Sequence, residues 1–260
     1  MRILVTFAIK AELSQWSSRH PFVPYEFENW ERRREFDLFK ANIGPNEVTV
    51  LLTGIGGESA TKAVESIPVG IYEVCISSGL AGSLDAALKP GDIIVARTSK
   101  TLEQDFKTAS DSGLVDLAVA SGAKTVQVSL TSEKIVATAE AKEDLSQKGS
   151  VVEMESTYIL EAAAQRNVPA VVVRAISDAA DEDLPVDFGR ILDSHGHLKM
   201  GGLLKEVGLS PYRIPLLIQF GRQSRAAGKS LADFLDRYVY AISQNWTRIS
   251  PPKIEEVSAT

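Results

Sequence analysis

A single cysteine, Cys75, stands in a chain of 260 residues. It excludes an intramolecular disulfide, and its apolar surroundings mark it as a small buried hydrophobe. There are only three histidines. His195 and His197 flank one glycine with no evident third ligand, so neither a metal site nor metal dependence is expected. Positive charge is not in excess: 28 Lys and Arg against 34 Asp and Glu give a net charge of -6. Without a basic surface, counterion release does not drive binding to nucleic acid or anionic membrane. No apolar window approaches the roughly 20 residues that span a bilayer, and "MRILVTFAIKAELSQW" meets Lys10 and Glu12 too early for a signal peptide. A Pro/Gly/Ser-rich linker and internal repeats are also missing. These absences lead to the expectation of a cytoplasmic protein with a small-molecule ligand, no cofactor and no stable membrane insertion. Residues 1–250 are expected to form one domain and 251–260 a frayed tail.

What is present is an alternation. Strand-like runs lie near 2–8, 46–53, 72–78, 92–98, 125–131, 150–154 and 169–177, and helical patterns near 10–18, 57–67, 111–122, 133–147, 156–166 and 229–246. "EVCISSG" and "AVVVRAIS" are apolar without alternation, as strands covered on both faces are. The fold class is therefore α/β, with a mostly parallel or mixed sheet between helices. In the last helix Leu231, Phe234, Leu235, Tyr238, Ile242 and Trp246 recur at three- and four-residue spacing, an amphipathic face that packs on the body. The preceding apolar stretch "SPYRIPLLIQFGRQ" is expected to complete the core.

Five stretches carry candidate chemistry. "LTGIGGESA" at 52–60 runs from a strand into a helix, so its backbone N–H groups either face an anion or merely make a tight turn. Its third glycine position is Ser59, which departs from the dinucleotide fingerprint. "SSGLAGSL" at 77–84 places Gly79, Ala81 and Gly82 at a strand's carboxyl edge, where ligands collect in open α/β sheets. "VVEMES" at 151–156 brings Glu153 and Glu155 close together, either to start a helix or to let one of them accept two hydrogen bonds from a vicinal diol. "VVVRAISD" ends an apolar strand on Arg174, Ser177 and Asp178, and Asp178 is there either as a cap or as a general acid. Glu12 follows the first strand closely.

Taken in this order, "ILVTFAIKAE", "TGIGGESA", "SSGLAGSLDAALKPGDIIVA", "VVEMES" and "VPAVVVRAISD" resemble the nucleoside phosphorylase/nucleosidase family, and most strongly the methylthioadenosine/S-adenosylhomocysteine nucleosidases. The resemblance covers residues 1–190. It implies a three-layer phosphorylase/hydrolase-like fold with a mixed central sheet flanked by helices, and a homodimer or higher homo-oligomer. It also implies roles. Asp178 matches the acid that protonates N7 of adenine, Ser177 the residue that orients the base edge, and Glu155 the carboxylate on the ribose diol. Met154 matches the thioether under the sugar, Glu12 the glutamate that activates water, Ala81 and Gly82 the backbone lining, and Phe188 an aromatic near the substrate tail. Glu153 and Arg174 belong to the same group, Arg174 as support for the carboxylates.

Glycosidic cleavage requires a proton donor at the base and a nucleophile at C1′ on the other side. An aspartic acid titrates near 3.9 in water, so donation at neutral pH asks for desolvation, which the end of an apolar strand supplies. Leu80 occupies the position where phosphorolytic relatives hold phosphate with a hydroxyl, which favours water. The aromatic-bearing loop of the methylthioadenosine enzymes is replaced here by "SLTSEKIVATAEAKEDL". That region, the "DEDLP" loop and the C-terminal third also look like hopanoid-associated phosphorylases. The expected activity is release of adenine from a 5′-modified adenosine. The alternatives are a phosphate-dependent phosphorylase and a non-catalytic nucleoside-binding protein.

Overall fold

A computed structural model describes residues 1–27, 35–104, 106–186 and 214–249. Phe188, His195, His197 and the tail 251–260 lie outside these. The chain runs β1 (Arg2–Phe7), α1 (Lys10–Ser17), β2 (Val23–Pro24), β3 (Leu38–Ile43), β4 (Asn46–Leu52), α2 (Gly57–Ser66), β5 (Val74–Ser83), β6 (Ile93–Thr101), β7 (Lys107–Ala109), α3 (Ser112–Ala120), β8 (Lys124–Thr131), α4 (Ala139–Leu145), β9 (Val151–Glu153), α5 (Ser156–Ala164), β10 (Ala170–Asp178) and a long α6 (Ile214–Ile249).

Among the described residues all ten strands join one mixed sheet in the order β10-β6-β8-β9-β5-β1-β4-β3-β2, with β7 on β6. Because β10 also pairs with β5, the first five strands of that order close on themselves into a ring, from which β1, β4, β3 and β2 extend as an arm. β5 runs parallel to both β1 and β10, so the carboxyl ends of these three strands meet.

Period-2 alternation puts both strand faces to use. Ile3, Val5 and Phe7 of β1 and Val171, Val173 and Ala175 of β10 pack with α1, α3 and α6. Leu4, Val172 and Ile176 join Ala60, Ala63 and Val64 of α2 and Ile159 and Leu160 of α5 on the opposite side. Both faces are covered, which is why these strands read as continuous apolar runs.

The structure corrects several expectations. The final helix starts at Ile214 rather than near 229, with Pro215 in its first turn, where a missing N–H costs nothing. Its opening turns do not complete the core: Leu216 and Ile218 are each 52% exposed. The helix forms there by propagation from its buried second half, where Leu231, Phe234, Leu235, Tyr238 and Ile242 are sealed in the core. α4 begins at Ala139, six residues later than its pattern suggests, where Thr138 Oγ1 accepts from Ala141 N at 3.2 Å. β5 continues to Ser83, five residues past the end near 78 that its pattern suggests.

α1 is fastened to α6. Trp16 Nε1 donates to Asp236 Oδ1 at 2.6 Å, His20 Nε2 lies 2.7 Å from the same oxygen, and Arg19 Nη1 reaches Asp233 at 2.5 Å. This clasp fixes the helix that carries Glu12.

Candidate active site

The meeting point of β1, β5 and β10 gathers most of the singled-out residues. Glu12, in the first turn of α1, reaches back over the end of β1. Its Oε2 accepts from Ala8 N at 3.0 Å, and its Oε1 from Leu80 N at 2.8 Å, on β5. Burial raises its carboxyl above the ordinary range, and the nearby Arg174 charge partly opposes this.

Gly79 permits this approach. Its φ is +144°, and a Cβ there would stand 2.4 Å from Arg174 Nη1 and 2.8 Å from Glu12 Oε1. Glycine is therefore required both by conformation and by space.

Arg174 is 1% exposed. Its Nη1 donates to Ser78 O at 2.7 Å, and its Nη2 lies within 3.2 Å of Ser77 Oγ, Glu153 Oε2 and Ser156 Oγ. A guanidinium is tolerable in this core because charged and polar partners surround it. It faces inward, as a support.

Glu153 is spent on the protein. Its Oε2 accepts from Glu155 N at 3.0 Å, Ser156 N at 2.8 Å and Arg174, while Thr131 Oγ1 donates to its Oε1. It thus satisfies the orphan donors that open α5. The reading of Glu153 as a ligand for substrate is corrected accordingly: no oxygen of it is left over for a diol. Nor do Glu153 and Glu155 share a strand face, since β9 stops at Glu153 and Glu155 is the residue before α5.

Glu155 is 5% exposed and differently placed. Its Oε1 accepts from Gly56 N at 2.9 Å, and its Oε2 is 3.9 Å from Arg174. The N–H of the Gly54-Ile55-Gly56 turn thus meets a carboxylate of the protein itself. Burial first, then repulsion from Glu153, pushes the Glu155 carboxyl up to about 8.

At the end of β10 the pairing with β5 slips between Ile176 and Asp178, a bulge at Ser177 that turns Asp178 toward Gly82. A Cβ on Gly82 would lie 3.0 Å from Asp178 Oδ2. Ser177 Oγ stands 2.5 Å from Asp178 Oδ1 and 3.2 Å from Ala81 O. The other carboxyl oxygen, Oδ2, receives Lys142 Nζ of α4 at 2.6 Å. Sequence reasoning missed Lys142, which lies 36 positions away in a helix that looks solvated; no local signal marks it.

Met154 is half-buried in the turn between β9 and α5, and Ala81 is buried on β5. Glu12 and Asp178 flank β5 at Gly79 and Gly82, three residues and so about 10 Å of strand apart. Two carboxyl groups so spaced along one strand can act on a bond held between them. Among the described residues no cluster of His, Cys, Asp and Glu could hold a metal ion, and no helix is long and apolar enough to cross a membrane.

Comparison with known proteins adds four likenesses. The sequence model of the phosphorylase superfamily matches residues 2–195. A 5′-methylthioadenosine/S-adenosylhomocysteine nucleosidase of Staphylococcus saprophyticus is 27% identical over 180 residues, 60% of this chain and 79% of that protein. In fold, the chain is similar to a futalosine hydrolase mutant of Helicobacter pylori, with TM-score 0.67, 20% identity and coverage of 92% and 99% of the two chains. It is equally similar to the Neisseria meningitidis 5′-methylthioadenosine/S-adenosylhomocysteine nucleosidase in complex with methylthio-immucillin-A, with TM-score 0.67, 20% identity and coverage of 92% and 98%.

Proposed function

The chain belongs to the phosphorylase superfamily, and on that premise we propose that it is a nucleosidase: it hydrolyses the N-glycosidic bond of a 5′-modified adenosine and releases adenine. The similarity to the nucleosidase of S. saprophyticus supports this reading. The observation that carries it is the placing of Glu12 and Asp178 on either side of Gly79-Leu80-Ala81-Gly82.

In this reading Asp178 serves N7 of the purine and Ser177 orients it. Glu155 takes the ribose diol with Met154 beneath the sugar, Ala81 and Gly82 line the pocket, and Phe188 borders the substrate tail. Glu12 receives a proton from the attacking water, a role suited to a carboxyl that burial makes more basic. Arg174 fixes the carboxylates from behind.

Water is favoured over phosphate on electrostatic grounds. Leu80 offers no hydroxyl, and both terminal nitrogens of the Arg174 guanidinium are already committed to Ser78, Ser77, Ser156 and Glu153. Among the described residues, the cation beside Glu12 is thus already engaged where a phosphate dianion would enter. We further take the protein to be a cytoplasmic homo-oligomer with one domain over residues 1–250.

Chromatography of adenine released from methylthioadenosine, S-adenosylhomocysteine, adenosine and a lipid-substituted adenosine, with and without phosphate, tests the proposal. Release without phosphate, yielding the free sugar, is expected. A requirement for phosphate overturns the hydrolytic reading, and binding with no turnover of any of the four overturns the enzyme.

A further inference from the structure

Lys142 is fully buried, and it is the one buried residue of α4. Its ammonium has three hydrogens and three acceptors: Asp178 Oδ2 at 2.6 Å, Ala179 O at 2.7 Å and Glu182 O at 2.7 Å. The short helix is set in place around it, since Asp183 Oδ1 accepts from Ala139 N at 2.8 Å and Leu184 N donates to Ala137 O at 2.7 Å. Pinning two carbonyls would need only a neutral donor. A charge in a dry site is costly unless it meets an opposite charge, and Asp178 supplies that charge.

The other charged groups nearby are turned elsewhere. The Glu182 carboxylate faces Ala179 N and Gln223 Nε2 of α6, Asp183 caps α4, and Glu140, Glu143 and Asp144 of α4 are exposed. Oδ2 of Asp178 takes the ammonium of Lys142 at 2.6 Å, and Oδ1 lies 2.5 Å from Ser177 Oγ, whose one hydrogen also has Ala81 O within 3.2 Å. An ammonium sealed from solvent calls for an opposite charge beside it, and Asp178 is the carboxyl that meets it.

We propose that Lys142 is a positioning residue for the leaving-group half of the reaction: it pairs with Asp178 in the free enzyme and supplies, by way of that carboxyl, the proton that the departing purine takes. The inference rests on the nucleosidase reading above. As the C1′–N9 bond breaks, its electron pair moves into the purine and N7 becomes basic. The ammonium gives one proton to Oδ2 and becomes an amine, and that proton passes from the Asp178 carboxyl to N7, which leaves Asp178 without it again. Glu12 meanwhile accepts a proton from the attacking water. Glu12 then loses that proton to solvent and Lys142 regains one, so the sum is nucleoside plus water to purine plus free sugar.

Infrared difference spectroscopy reads the carboxyl of Asp178 directly, comparing the full chain with the Lys142→Met/Asp178→Asn double variant. No protonated-carboxyl band assignable to Asp178 is expected at neutral pH in the unsubstituted protein, and such a band is expected in Lys142→Met. In turnover of methylthioadenosine, Lys142→Met is expected to lose about 10²-fold or more in kcat, with KM little changed and the alkaline limb of kcat/KM moved to lower pH. A protonated Asp178 in the unsubstituted protein, or an unmoved pH profile in Lys142→Met, overturns the proposal. If Lys142→Met does not fold, the band in the unsubstituted protein decides alone. That measurement needs no turnover, so an enzyme that releases no purine fails the nucleosidase reading separately.

Discussion

Asp178 and Lys142 neutralise each other where both are almost wholly buried, so neither can be changed without affecting the other. Asp178→Asn is expected to lower kcat about 10²- to 10⁴-fold through loss of the acid-base group. It is also expected to lower the urea midpoint by an amount equivalent to about 3–5 kcal/mol, because Lys142 is left as an uncompensated buried charge. The double variant with Lys142→Met is expected to recover much of that stability and none of the rate. A double-mutant cycle followed by urea unfolding and adenine release checks both parts. At this scale the carboxylates were legible, because each closes a short motif at a strand end. Lys142 was not: its function depends on a helix folding back across 36 residues of sequence, and a lone lysine among Glu140, Glu143 and Asp144 reads as a solvated face.

Elements set the distances in the pocket. β5 can pass between Glu12 and Arg174 only because Gly79 has no side chain and tolerates φ of +144°. Gly79→Ala is expected to cost more than about 2 kcal/mol from backbone strain and collision with Arg174 together, and to abolish measurable turnover. Urea unfolding and a single-turnover assay check it. The strands with continuous apolar runs were legible since burial on both faces leaves no polar alternation to confuse with a helix. β3, "LFKANI", was not, because it lies in the arm with a half-exposed face and carries Lys40 and Asn42. The start of α6 was missed for a related reason: Gly and Pro breaks near it resemble loop, while the energy that extends the helix comes from a core contact two turns and more downstream.

The molecule as a whole carries the electrostatic cost of its site. Glu12 and Glu155 both have carboxyls raised above the unfolded value of about 4.3. Above that pH the folded state therefore holds more protons than the unfolded one, and stability falls as pH rises toward the folded values. For Glu155 the window closes at about 8. The unliganded protein is thus expected to lose stability from mildly acidic to mildly alkaline pH, and Glu155→Gln is expected to flatten part of that slope. Thermal unfolding across the range measures it, and an unchanged slope in the variant contradicts the assignment.

The ring of β10, β6, β8, β9 and β5 closes on itself, whereas the arm ends, among the described residues, at β2, with Val23 58% exposed. Under rising denaturant the amides of β2 and β3 are expected to exchange with solvent by local fraying well before those of β5 and β10. The strand end that carries Asp178 should then persist while the outer arm is already loose. Native-state hydrogen exchange would resolve two cooperative units in one sheet, with catalysis lost only alongside the second.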